Sequence, residues 1–176
     1  MPDYFTPTVV QQILPHQAIS PLERLVLSHI FDTERDEKGL YLSSSEGPAD
    51  ELMIVRALLA AALDASQEFD SALNAYIAEQ FKENEVAPDS RVETIDMSGF
   101  DWAFTLQDIL KRASSLNYIT VIQAFTVSKM CSEGWGGAAT LITRDAILSK
   151  STYDVLEQML RETRYAGEPA ERTEAA

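Results

Sequence analysis

Cysteine is almost missing from this sequence. Cys131 is the single one in 176 residues, so no disulfide can form within the chain. A chain of this length can bury a full core without such staples, and a reducing compartment is the expected setting. Long apolar runs are missing as well. The most apolar window, Leu52 to Leu63, is broken by Arg56 and falls well short of the ~20 residues of a membrane span. The opening residues Met-Pro-Asp-Tyr-Phe show no basic leader with an apolar stretch after it, so export is not expected and the cytoplasm is the predicted location. Basic residues are scarce, with 14 Lys and Arg against 28 Asp and Glu. That balance argues against direct nucleic-acid binding, which needs a cationic footprint to replace phosphate counterions. No nucleophile elbow, phosphate-binding glycine loop, CxxC pair or HExxH motif occurs.

What is present is an uneven charge. Residues 32–108 hold 18 acids and 5 bases, a net of −13 within a total of −14, whereas residues 109–164 hold 5 acids and 7 bases, a net of +2. The excess therefore sits in one middle segment, which repels nucleic acid and attracts basic surfaces.

The strongest structural signal runs from Asn117 to Thr143. Ile119, Val121, Gln123, Phe125 and Val127 alternate with a more mixed set, a break follows at Ser132-Glu133-Gly134, and β-forming residues resume after Gly137. That pattern predicts a β-hairpin with a glycine-rich tip. Upstream, Ser20-Pro21-Leu22-Glu23 is a capping box with proline at the first helical position, and it predicts a helix over 21–31. The run from Pro7 to Leu14 reads as an edge strand or an arm across the core.

Residues 50–64 suit a helix apolar on most of its circumference and hence buried, although Ile54-Val55 leaves a strand start open. Ser66 then caps a helix carrying Phe69, Leu73, Tyr76, Ile77 and Phe81, which ends near Asn84. Arg91 to Met97 reads as a polar edge strand. A helix over 100–116 has one broad apolar stripe, with Phe104 on the opposite face. A last helix over 151–165 starts at a second capping box, Ser151 to Asp154, and turns Val155, Leu156, Met159 and Leu160 inward. The expected fold class is α+β: a mostly antiparallel sheet of about four strands (40–43, 91–97, 118–129 and 137–143) with the 118–143 hairpin at its centre and helices mainly on one face. Residues 1–166 form one domain in this reading, and 167–176 a mobile tail.

Candidate chemistry is thin. Asp32-x-Glu34-x-Asp36 resembles the start of a calcium loop, but Glu37 and Ser43 stand where glycine and a bidentate glutamate belong, so a solvated turn is expected. His29 lies on the apolar stripe of its helix and would need a partner such as His16 for acid-base work. Cys131, near Lys129 at the hairpin tip, is a loop thiol without a signature around it. Neither a cofactor nor a metal is expected. The residues assigned to partner binding are Glu68, Asp70, Glu79, Glu83, Glu85 and Asp89, on or just after one helix, together with the aromatics Phe104 and Trp135. Carboxylates on a rigid scaffold can imitate phosphates and fill a basic groove.

The words PDYFTP near the start and PLERLVLSHIF in the first helix resemble uncharacterised proteins carried on proteobacterial mobile elements. The resemblance covers about the first quarter of the chain. It implies a bacterial accessory protein, and such elements often carry inhibitors of host immunity or restriction. The expected function is therefore non-enzymatic: an acidic protein that binds a basic surface or a nucleic-acid-binding complex, of the anti-CRISPR or anti-restriction type. Two other readings stay open. One is a small-molecule binder or enzyme with a site assembled around His29, Tyr41 and Cys131; the other is a homo-oligomeric structural subunit pairing through an exposed strand edge.

Overall fold

The computed structural model describes residues 3–83, 91–129 and 134–167. In chain order the elements are β1 (Tyr4–Phe5), β2 (Thr8–Val10), β3 (Leu14–Pro15), α1 (Pro21–Ile30), β4 (Asp32–Arg35), β5 (Gly39–Ser44), β6 (Glu51–Val55) and α2 (Arg56–Asp64). They continue with α3 (Ala72–Glu83), β7 (Val92–Asp96), α4 (Trp102–Arg112), β8 (Ile119–Val127), β9 (Gly136–Ile142), β10 (Ile147–Ser151) and α5 (Thr152–Gly167). The chain is α+β, and all of its strand pairs are antiparallel.

The expected count of about four strands is wrong: eight strands make one sheet, and β6 and β7 make a separate two-stranded ribbon. The additional strands come from three places. The run from Pro7 to Leu14 is no arm over the core: it belongs to an interrupted strand, 4–15, that pairs through β1 and β2 with β8 and through β2 and β3 with β5, its β2 interior and its β3, bonded to β5 alone, at the end of the sheet. β4, which reads as a charged turn, pairs with the other edge of β5 from Asp32↔Ser43 to Arg35↔Leu40. β10 carries Ser and Lys at an edge, where a strand needs little apolar character, and pairs with β9 from Ile147↔Ile142 to Ser151↔Ala138. Gly39 is required where β3 meets β5, because a Cβ there would stand 2.1 Å from the Leu14 carbonyl oxygen.

One face of the sheet is the core. Val10, Leu14, Leu40, Leu42, Ile119, Val121 and Ile142 point to it and join buried residues of α1, α4 and the ribbon in one contiguous cluster. α1 is held at its start by the expected capping box: the Glu23 N–H donates to Ser20 Oγ at 3.1 Å, and the Ser20 N–H donates to Glu23 Oε2 at 2.8 Å. Ser66 does not cap the helix after it. Its hydroxyl accepts the Leu22 N–H at 2.8 Å and so also serves the start of α1, while α3 begins only at Ala72.

Three helix expectations change. Residues 50–64 are half strand and half helix, and within α2 only Leu59 is buried. Alternation in Glu51–Val55, with Leu52 and Ile54 inward, looks helical in sequence because Met53 and Val55 are apolar although exposed. α4 ends four residues earlier than expected, at Arg112. Lastly, the stripe Val155, Leu156, Met159 and Leu160 of α5 does not face inward: these side chains are 40–57% exposed. α5 stands over the outer face of the sheet, opposite α4, so the helices are not confined to one face.

Candidate macromolecular interface

The structure places the predicted acidic residues less tidily than one helix face. Glu68 and Asp70 lie in the turn before α3, Glu79 lies on α3, and all three are exposed. The side chain of Glu83, and all of Glu85 and Asp89, fall outside the described residues. Phe104 and Trp135 are exposed, at 49% and 47%, yet they do not form a pair. Phe104 lines a hollow with Asp145, Ala146 and Ile147 just after β9, whereas Trp135 immediately precedes β9, at its other end. The Trp135 carbonyl accepts a hydrogen bond from the Tyr153 hydroxyl at 3.3 Å. The tip residues Met130 to Glu133, including Cys131, lie outside the described residues.

A more coherent surface is one that the sequence reading missed, the outer face of the β6–β7 ribbon. Register puts Glu51 directly opposite Asp96, Met53 opposite Thr94, and Val55 opposite Val92, all six exposed. Met53 is the most exposed large apolar side chain described, at 71%. Two carboxylates facing each other across strands destabilise the ribbon. Asp96 is nonetheless held ionised, its carboxyl lowered from the ordinary value by the hydroxyl and then the backbone N–H of Ser98. The neighbouring Tyr76 hydroxyl donates to the Asp96 carbonyl at 2.6 Å. Its pKa is raised, first by burial and then by the negative charges of Asp96 and Glu79. Among the described residues, none of Glu51, Glu68, Asp70, Glu79 and Asp96 has an ion-pair partner.

The inner face of the ribbon explains why it keeps its orientation. Glu93, which reads as part of a polar edge, is fully buried, and Arg56 pairs with it at 2.7 Å while stacking over the Phe81 ring at 4.4 Å. The second oxygen of Glu93, Oε1, has no hydrogen-bond partner among the described residues. A one-residue slip of β7 would turn Asp96 inward and Glu93 outward, away from Arg56, so the buried pair fixes which side of the strand carries the exposed acid.

The residues named for small-molecule chemistry do not converge. His29 is exposed rather than in the core, with Nδ1 2.9 Å from the Leu25 carbonyl. His16 is engaged at both nitrogens: Nε2 donates to the Asp36 carbonyl at 2.9 Å, and Nδ1 accepts from Arg24 at 3.1 Å. A polar cavity of about 470 Å³ beside Tyr4, Glu46, Asp50 and Trp102 includes neither His29 nor Tyr41. In the acidic turn, the Asp36 carboxylate accepts the N–H groups of Lys38 and Gly39, which lowers its pKa. Among the described residues no group of three or more His, Cys, Asp or Glu could hold a metal ion, and no helix is long and apolar enough to cross a membrane. Neither known protein-family models nor curated proteins nor solved structures yield a match to this chain.

Proposed function

We propose that this chain acts without catalysis, by binding the basic surface of another macromolecule, and that its most concrete role is to inhibit a nucleic-acid-binding assembly of the CRISPR or restriction type. The observation that carries the reading is the outer face of the β6–β7 ribbon. There the opposed carboxylates Glu51 and Asp96 adjoin the exposed apolar residues Met53 and Val55. An apolar centre with a charged margin is the usual anatomy of a protein interface, and the acidic margin selects a basic partner. Like charges set opposite each other cost stability, so their presence on an exposed face where one lysine would relieve them supports a binding role.

Capture from a bacterial lysate on the immobilised chain tests the proposal. A partner should be retained at ~0.1 M salt, where charges act over about 10 Å, and released toward ~1 M, where they act over about 3 Å. The double variant Glu51→Gln with Asp96→Asn should lose that capture while keeping its far-UV spectrum. Capture that is indifferent to salt, or a double variant that binds as the wild type does, defeats the reading.

A further inference from the structure

The unexplained part of the molecule is the opposite side, where α5 stands over the outer face of β8, β9 and β10. α5 begins in a reciprocal capping box: the Ser151 N–H donates to Asp154 Oδ2 at 2.7 Å, and the Asp154 N–H donates to Ser151 Oγ at 3.1 Å. Beyond this cap, the helix is tied to the sheet by bonds of its first turn, from the Gly137 N–H to Thr152 Oγ1 and from the Tyr153 hydroxyl to the Trp135 carbonyl, both at 3.3 Å. Every side chain from Thr152 to Thr163 is exposed, including Val155, Leu156, Met159 and Leu160 on one stripe. Helices of this length are marginal in water unless an apolar face is packed. The sheet beneath has the same character. Cross-strand register aligns Ile122 with Ala139, and Thr120 with Leu141 and then Leu148, and Ile122, Leu141 and Leu148 are exposed. Helix and sheet together border an open groove of about 650 Å³, with Val155, Leu156 and Met159 on one wall.

We infer that this face is covered by a second copy of the chain, with α5 of each protomer seated in the groove between α5 and the outer sheet face of the other. Three observations select that occupant. First, the surface carries both halves of the contact, a projecting apolar ridge and an adjoining apolar groove, which is what a twofold self-contact requires. Second, the seven apolar side chains, each about half exposed, present roughly 600 Å² per chain. That is the upper limit of patches on single-chain proteins and, with its polar margin, close to the ~800 Å² per partner of a standard interface. Third, a chain of net −14 repels its own copy everywhere except where its charge is balanced. This face belongs to residues 109–164, which have a net of +2; its sheet rows carry the cation Lys150 and no carboxylate, and on α5 the acids Asp154, Glu157 and Glu162 stand with Arg161, which pairs with Glu157.

Sedimentation and light scattering of the full chain test the inference. The wild type should run at twice the 19.6 kDa chain mass at micromolar concentration. Leu156→Glu with Leu160→Glu should halve that mass and raise the dimer dissociation constant at least 100-fold. Because the replaced side chains are exposed in the single chain, the variant should keep the β-sheet signal in far-UV circular dichroism. Should it fail to fold, Leu148→Lys on the sheet wall decides in its place, and the same return to 19.6 kDa is expected. A wild type that stays monomeric at high micromolar concentration overturns the inference, whether or not another protein occupies the face. A dimer that survives both replacements overturns it too. Loss of the dimer should leave salt-dependent capture by the acidic face intact, so each proposal can fail alone.

Discussion

Removing Arg112 is the sharpest test of how the helices are tied together. Its Nη2 reaches both carboxylate oxygens of Glu23, at 2.6 and 2.5 Å, and Glu23 is completely buried beneath the first turn of α1. The same guanidinium donates to the carbonyls of Ala18 at 3.1 Å and Asp70 at 2.8 Å, so one side chain ties α4 to the starts of α1 and α3. In Arg112→Ala the Glu23 carboxylate stays buried with, among the described residues, the Ser20 N–H as its one remaining donor. Breaking a buried pair from one side costs ~3–5 kcal/mol. Glu23→Gln should cost less, ~1.5–3 kcal/mol. The amide oxygen still accepts from Ser20, and Arg112, about a fifth exposed, still has two carbonyls and water. Urea denaturation followed by circular dichroism and tryptophan fluorescence would give both values. The double variant should be less destabilised than the two singles together, with a coupling of ~0.5–3 kcal/mol. If Arg112→Ala cost under ~1 kcal/mol, or less than Glu23→Gln, the buried pair would not be the tie described.

Gly39→Ala should destabilise by ~1–3 kcal/mol, measured in the same way, because the new Cβ meets a backbone oxygen that cannot swing aside. Trp135→Ala should unfold at nearly the wild-type midpoint, the indole being half exposed; a large loss would show that the ring supports the sheet. Acid titration should erode stability as well. The carboxyls of Asp36, Asp96 and Asp154 are all lowered from 3.8 by hydrogen bonds formed only in the folded chain. Their contribution is complete above that value and is lost as the pH falls through the lower native ones. Asp154→Asn should flatten the acid limb, and an unchanged limb would contradict the cap of α5.

How much was legible in the sequence depends on whether a signal was local. The start of α1 was readable, since Ser20, Pro21 and Glu23 encode their own hydrogen bonds within four residues. The β6–β7 ribbon was not. Its buried Glu93 is paired with Arg56, 37 residues away, so a core-facing strand carries the composition of an exposed edge. Met53 and Val55 conceal the alternation from the other side by being apolar and exposed. For α5 the period of the stripe was correct, but a period says only that an apolar face exists and not what lies against it. The acidic segment was visible as a total, while the opposition of Glu51 and Asp96 needed a register that no local pattern records.

The interrupted strand 4–15 sets the order in which this protein can be completed. It lies between β5 and β8, and Thr8 meets Gln123 across 115 residues of chain. At synthesis rates of ~5–20 residues per second, β2 waits on the order of ten seconds for β8 to be made. During that wait the nascent chain can join β2 and β3 to β5, but the side destined for β8 stays open. The last strands made are thus the ones that close the sheet, and a chain stalled before residue 119 would present β2 as an unprotected template for pairing with its neighbours.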